Sequence, residues 1–276
     1  MTETIPFNQR LQQVQERTGS LLCVGMDPDP ERLPEHLSRD VDGIGEFCRE
    51  IIRTTQEHVC GYKFNSAFFE ALGGAGLDLL LDLRQSLPEP LLAIYDVKRG
   101  DIGNTAKHYA RAAFESLRMD AVTLNPYMGY DAVAPFLTDA SRGAFILCYT
   151  SNDSSRDFQQ VRSEAGRPLY LQVAAKARDW NGGRNVGLVV GATKAEAVAE
   201  VRETAPDLPI LAPGVGAQGG DLEAVLRAGR SSEGYGLIIP ISRGIIYAGT
   251  GREYATRAGE QARTYKTTIQ KAVTHE

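Results

Sequence analysis

Four charged residues sit at spacings that could do chemistry. The run Tyr95-Asp96-Val97-Lys98-Arg99-Gly100-Asp101 sets Asp96 and Lys98 two apart with Asp101 three further on, and Tyr62-Lys63-Phe64-Asn65 sets a lysine and an amide two apart. Side chains alternate along a strand, so Asp96 and Lys98 are expected on one side, and Lys63 and Asn65 likewise. Met26-Asp27 adds a carboxylate after another apolar run. An alternating Lys/Asp array keeps its lysines protonated, because a carboxylate ~4 Å away contributes roughly 4 kcal/mol at an effective dielectric near 20. Such lysines are acids and electrostatic anchors, which counts against a Schiff-base mechanism that needs a neutral amine. A plainer reading makes Asp96 and Lys98 a buried structural ion pair and Asp101 a helix cap. It accounts poorly for Lys63 and Asp27, since burying several charges is costly unless they are paired or used.

A second group has the chemistry of anion binding. Pro213-Gly214-Val215-Gly216-Ala217-Gln218-Gly219-Gly220 and Ser242-Arg243-Gly244 each follow an apolar run. Glycine frees backbone N–H groups to face a phosphate, and Gln218 and Arg243 are the side-chain donors expected there.

The elements that must carry these residues are legible as eight short apolar runs: Leu21 to Met26, Gly61 to Phe64, Leu91 to Tyr95, Ala121 to Leu124, Ala144 to Tyr149, Val186 to Val190, Pro209 to Ala212 and Gly236 to Ile241. Several are continuous rather than alternating, as in parallel strands buried on both faces. Amphipathic stretches lie between them; Ala106, Tyr109, Ala110, Ala113, Phe114 and Leu117 trace one face of a helix. Strand then helix, eight times, predicts an α/β fold of the (β/α)₈ TIM-barrel class, one domain over residues 1–276. The two glycine-bearing runs then follow strands 7 and 8, where such barrels bind phosphate, and the charged residues stand at the mouth. A doubly wound sheet is the main rival, but Gly25-Met26-Asp27-Pro28-Asp29-Pro30 does not fit its glycine fingerprint. Phe7, Leu11 and Val14 predict an extra N-terminal helix, and Thr150 to Arg167 a long connection after strand 5.

Composition narrows the class. The chain has 276 residues, 42% of them hydrophobic, enough for one large core. A formal charge of −5 without a long basic run argues against nucleic acid as a partner, so an anion must be held by local donors. No segment approaches 18 apolar residues, and Met1 to Ser20 lacks a secretory pattern, which predicts a cytoplasmic protein with no membrane partner. Cys23, Cys48, Cys60 and Cys148 are far apart and read as reduced thiols, and the four histidines follow no metal spacing, so no metal is expected.

The combination Asp96-x-Lys98-x-x-Asp101-Ile102-x-Asn104-Thr105, with Lys63 and the Pro213-to-Gly220 stretch, resembles the orotidine 5′-phosphate decarboxylase family, and Arg99-Gly100 is similar to its longer bacterial subgroup. The resemblance runs from Asp27 to Arg243. It implies that Lys63, Asp96, Lys98 and Asp101 form a charged tetrad, with Asp101 reaching into the partner subunit's site of a homodimer. Ile102 and Thr105 would accompany it. Asp27 and Lys63 would hold the ribose hydroxyls, and Gln218 and Arg243, with Pro213, Gly219 and Gly244 around them, the 5′-phosphate. Ser151 and Asn152 are candidates for reading the pyrimidine, with Asn125 or Asn65 as competitors. The implied reaction converts orotidine 5′-monophosphate to UMP and CO₂ in de novo pyrimidine biosynthesis, without a cofactor, Lys98 giving its proton to C6. A magnesium-dependent sugar-phosphate decarboxylase and a non-catalytic nucleotide-binding regulator are the alternatives.

Overall fold

Continuous apolar runs bury both faces of a strand, and here they assemble as anticipated. In the computed structural model, which describes residues 4–215, 221–231 and 234–274, eight parallel strands pair in chain order and β1 closes on β8. The strands are β1 (Leu22–Met26), β2 (Gly61–Asn65), β3 (Leu92–Arg99), β4 (Ala121–Leu124), β5 (Gly143–Tyr149), β6 (Val186–Val190), β7 (Ile210–Leu211) and β8 (Leu237–Ile241). All eight expected strands are present. β3 runs four residues beyond the expected end at Tyr95, and β7 is only two residues long.

Helices flank the barrel: α1 (Phe7–Thr18), α2 (Val41–Thr55), α3 (Ser66–Glu70), α4 (Gly74–Ser86), α5 (Gly103–Arg111), α6 (Tyr130–Val133), α7 (Leu169–Asp179), α8 (Ala195–Thr204), α9 (Leu222–Gly229), α10 (Arg243–Ile246) and α11 (Tyr254–Thr274). The amphipathic face expected around Ala106 is real: Ala106, Ala110 and Ala113 are buried, although the helix widens after Arg111 into a π turn closed by Leu117 N to Ala112 O. Among the described residues no helix is long and apolar enough to cross a membrane.

The extra helix α1 plugs the N-terminal end of the barrel. Phe7, Leu11 and Val14 pack into a cluster with Cys23, Ile94, Phe145 and Ile238 from the strands and with Cys60 just before β2. Burying each such side chain contributes about 1.5–3 kcal/mol. Gln15 locks the plug, donating to Leu237 O at 2.8 Å and accepting from Gly236 N at 3.0 Å. Asp120, nearby in sequence to β4, takes Arg10, Arg84 and the Ala93 amide. With the bottom sealed by packing and ion pairs, the opposite rim is left to carry function.

Candidate active site

The rim of β1, β2 and β3 gathers the charged residues into one chain. The Lys63 ammonium lies 2.8 Å from Asp96 Oδ2 and 3.8 Å from Asp27 Oδ1. The Lys98 ammonium lies 2.6 Å from the other Asp96 oxygen, which also accepts from the Thr123 hydroxyl at 3.0 Å. The spatial order is Asp27, Lys63, Asp96, Lys98, with signs alternating. Lys63 and Asp96 are buried, whereas the Lys98 side chain is 48% exposed and reaches the cavity.

Burial alone would neutralise these groups, and their partners prevent it. Burial presses Asp96 towards protonation, but Lys63 and Lys98 outweigh it and hold the carboxyl well below the usual range. Burial likewise opposes the charge on Lys63, and Asp96 and Asp27 overcome it, holding the ammonium above the usual lysine range. Both stay ionised at neutral pH, so an array of fixed charges faces whatever occupies the cavity.

That cavity, about 260 Å³, opens at the C-terminal ends of the strands. Asp27, Lys63, Asp96 and Lys98 line it from β1 to β3. Thr150, Ser151, Pro213, Gly214, Val215, Ser242 and Arg243 line it from the ends of β5, β7 and β8, with Leu147, Val189, Leu211 and Pro240 as an apolar wall. Asp27 Oδ1 is buried without a hydrogen-bond partner, an acceptor left for a donor from outside the chain. The loop carrying Asp27 is tied down by Tyr247, whose hydroxyl accepts from Asp29 N at 2.6 Å and donates to Asp27 O at 3.1 Å. Burial pushes this phenol up to about 12, which keeps it a neutral donor. Gly25 has its own steric reason: a Cβ there would stand 1.9 Å from Ser242 Oγ and 3.0 Å from Ser242 Cβ, so a side chain at this position makes the residue after β8 shift away from β1.

Not every expected residue joins this wall. Asn65 instead caps α3, accepting from Ala67 N; the expected pairing with Lys63 in the cavity is not made. Asn125 accepts from Tyr127 N and Asn152 from the Thr150 hydroxyl, and neither lines the cavity. Gly244 lies in α10 behind Arg243. Asp101 accepts from the Ile102 amide and makes no ion pair among the described residues, so it is neither in this chain's array nor the side-chain cap of α5. Beside it Ile102 is 54% exposed and Thr105 is exposed. Gln218 and Gly219 lie outside the described residues. Arg99 turns away from the cavity to Glu70 and the Tyr109 ring.

Sequence reasoning missed Thr123 and Tyr247. Thr123 had a signal, being the one polar residue in the strand Ala121–Leu124; Tyr247 had none beyond its position four residues after Arg243.

Comparison with known proteins agrees with this geometry. A family model described as orotidine 5′-phosphate decarboxylase / HUMPS family matches residues 20–258. An orotidine 5′-phosphate decarboxylase of Roseiflexus castenholzii is 52% identical over 268 residues, covering 97% of this chain and 98% of the relative. A solved chain from Toxoplasma gondii superposes with a TM-score of 0.88 at 40% identity, over 99% of this chain and 100% of that one. The OMP decarboxylase of Leishmania donovani superposes with a TM-score of 0.82 at 38% identity, over 95% of this chain and 99% of that one. Since the matched stretch carries both the closed barrel and the whole charged array, the chain belongs to the orotidine 5′-phosphate decarboxylase / HUMPS family.

Proposed function

We propose that the chain is a carboxy-lyase that converts orotidine 5′-monophosphate to UMP and CO₂ in de novo pyrimidine biosynthesis, with Lys98 as the proton donor to C6. The observation that carries this reading is the ionised Asp96 carboxylate held between a buried lysine and a cavity-facing one. When the bond from C6 to the carboxylate breaks, its electron pair stays on C6, on a ring with no adjacent electron sink. A preorganised cation at that carbon stabilises the developing charge without reorganising at the moment of reaction. The Lys98 ammonium then gives its proton to C6 and is reprotonated from solvent. Asp96 orients the ammonium and disfavours a substrate carboxylate beside it. No cofactor takes part.

The remaining roles follow from chemistry. Asp27 and Lys63 suit the ribose hydroxyls, Asp27 Oδ1, which takes no hydrogen bond, being an acceptor for one of them. Arg243 suits the 5′-phosphate, next to Pro213 and Gly214 on the same wall. Ser151, also on that wall, is the stronger candidate for the pyrimidine edge, since Asn152 does not line the cavity. Asp101, Ile102 and Thr105 complete the site of a second subunit in a homodimer, consistent with the exposure of Ile102 and Thr105 beside a half-buried Asp101. Four buried thiols fit a reducing, cytoplasmic setting.

The test is the ultraviolet absorbance of orotidine 5′-monophosphate on adding the purified protein with EDTA. Rapid loss with UMP as product is expected, and Lys98→Ala should abolish it while still binding UMP. Turnover lost to EDTA favours the magnesium-dependent sugar-phosphate relatives, and Lys98→Ala within about tenfold of the parent removes Lys98 as the acid, since general acid catalysis contributes ~10²–10⁴-fold.

A further inference from the structure

The strand that carries Asp96 and Lys98 is not regular where it carries them. Tyr95 pairs with Val122 on β4, and the next pairing is Arg99 with Leu124. Three residues of β3, Asp96, Val97 and Lys98, therefore stand opposite one residue of β4, Thr123. A bulge of this kind leaves ladder groups of the longer strand without backbone partners, and unpaired polar backbone away from water is costly.

Thr123 supplies the missing partners. Its hydroxyl accepts from Val97 N at 3.0 Å and from Lys98 N at 2.9 Å, and donates to Asp96 Oδ1 at 3.0 Å. A hydroxyl has two acceptor lone pairs and one proton, so all of its capacity is spent on the three bulged residues. Thr123 is buried, in a strand whose other members are Ala121, Val122 and Leu124. Lys98 meanwhile stands at φ 49°, in the left-handed region that side-chain-bearing residues rarely adopt. Such a conformation persists only where its surroundings over-determine it, and the Lys98 amide donating to Thr123 is one such restraint.

We infer that Thr123 is a positioning residue for the decarboxylation: its hydroxyl replaces the lost ladder acceptors, holds Lys98 in its left-handed conformation and turns the Asp96 carboxylate so that the Lys98 ammonium lies against it at the cavity. Thr123 does not line the cavity, and it acts through these two residues. The inference rests on the reading of Lys98 as the proton donor.

Two substitutions separate the hydroxyl from the shape of the side chain. Thr123→Val keeps the branched shape and loses the hydroxyl, whereas Thr123→Ser keeps the hydroxyl. With orotidine 5′-monophosphate as substrate, kcat of the valine variant should fall about 100-fold, the scale of a misplaced catalytic group, with KM within about threefold of the parent. The serine variant should stay within about tenfold of the parent kcat. Crystals of the valine variant should show Lys98 out of the left-handed region and its ammonium away from Asp96. Parent-like kcat in Thr123→Val overturns the inference, and so does a serine variant as slow as about 100-fold below the parent, a result readable even if the valine protein does not fold. A parent that leaves the substrate untouched defeats the decarboxylase reading instead. In that case the Lys98 backbone in a Thr123→Val crystal still decides the positioning role, an unchanged conformation refuting it.

Discussion

Replacing Asp96 with asparagine keeps the side chain's shape and an acceptor for Thr123 but removes the charge between two ammonium groups. The Lys63 side chain is 7% exposed and would be left with Asp27 Oδ1 at 3.8 Å. At an effective dielectric near 20, the pair at 2.8 Å has a gross attraction of roughly 6 kcal/mol. Desolvation of the carboxylate, which the substitution relieves, offsets part of it. Lys98 is 48% exposed, so solvent screening limits its share to about 0–1 kcal/mol. The expected net loss of stability is about 3–5 kcal/mol, as for other buried pairs stripped of one partner. The pH dependence follows from the two shifts. Asp96, with its lowered pKa, stabilises the fold above the unfolded value of about 3.9, and the contribution is lost as pH falls through the folded value. Lys63, with its raised pKa, stabilises below the unfolded value of about 10.4, and that contribution is lost as pH rises through the folded value. In the variant the poorly paired Lys63 sheds its proton more readily, so the gap between parent and variant should be full near pH ~7 and narrower near pH ~10. Urea unfolding of both proteins at one concentration measures it. A gap below about 1 kcal/mol at neutral pH, or one that does not change with alkalinity, refutes the claim that Lys63 is a buried charge dependent on Asp96.

Three other outcomes are expected. Arg243→Ala should weaken UMP binding by about 1.5–3 kcal/mol, roughly 10- to 150-fold in Kd by calorimetry, and an unchanged Kd removes Arg243 from the phosphate site. Gly25→Ala sets a Cβ against Ser242, 3.0 Å from its Cβ, and makes the serine shift; such overpacking should cost about 1–3 kcal/mol in thermal unfolding and depress kcat/KM, and parent-like values would contradict the close approach of β1 and Ser242. Lys98→Ala and Asp101→Ala chains, inactive alone, should recover about one quarter of the parent activity when mixed, because in the proposed homodimer with shared sites half the dimers are mixed and each holds one native site. No recovery places each site within one chain.

The barrel was legible because burial on both faces writes each strand as an apolar run, and because Phe7, Leu11 and Val14 marked the helix that plugs its base. Asp27, Lys63, Asp96 and Lys98 were legible for the converse reason, as charges at the ends of runs that otherwise exclude them. The asparagines were not. Asn65 ends a strand and Asn125 and Asn152 follow strands, as a ligand-reading amide would, yet each oxygen is engaged within two residues in sequence. Short polar side chains beside a turn find local backbone and hydroxyl partners before any ligand arrives, and residue type alone does not separate the two uses.

Asp96 and Lys98 show a subtler limit. Alternation along a strand predicted that they meet, and they do, at 2.6 Å. Alternation describes a regular ladder, however, and β3 leaves its ladder with β4 at these residues, with Lys98 in left-handed backbone. The contact is therefore made by the bulge and by the hydroxyl that fills it. A regular strand would hold Lys98 by its pleat alone, with no reason for a threonine inside the buried strand beside it. The threonine was the readable sign: a polar residue in an otherwise apolar barrel strand must spend its hydrogen bonds on something. What the sequence could not indicate was that the neighbouring strand's slipped register had left two backbone amides in need of them, beside a carboxylate that takes the third.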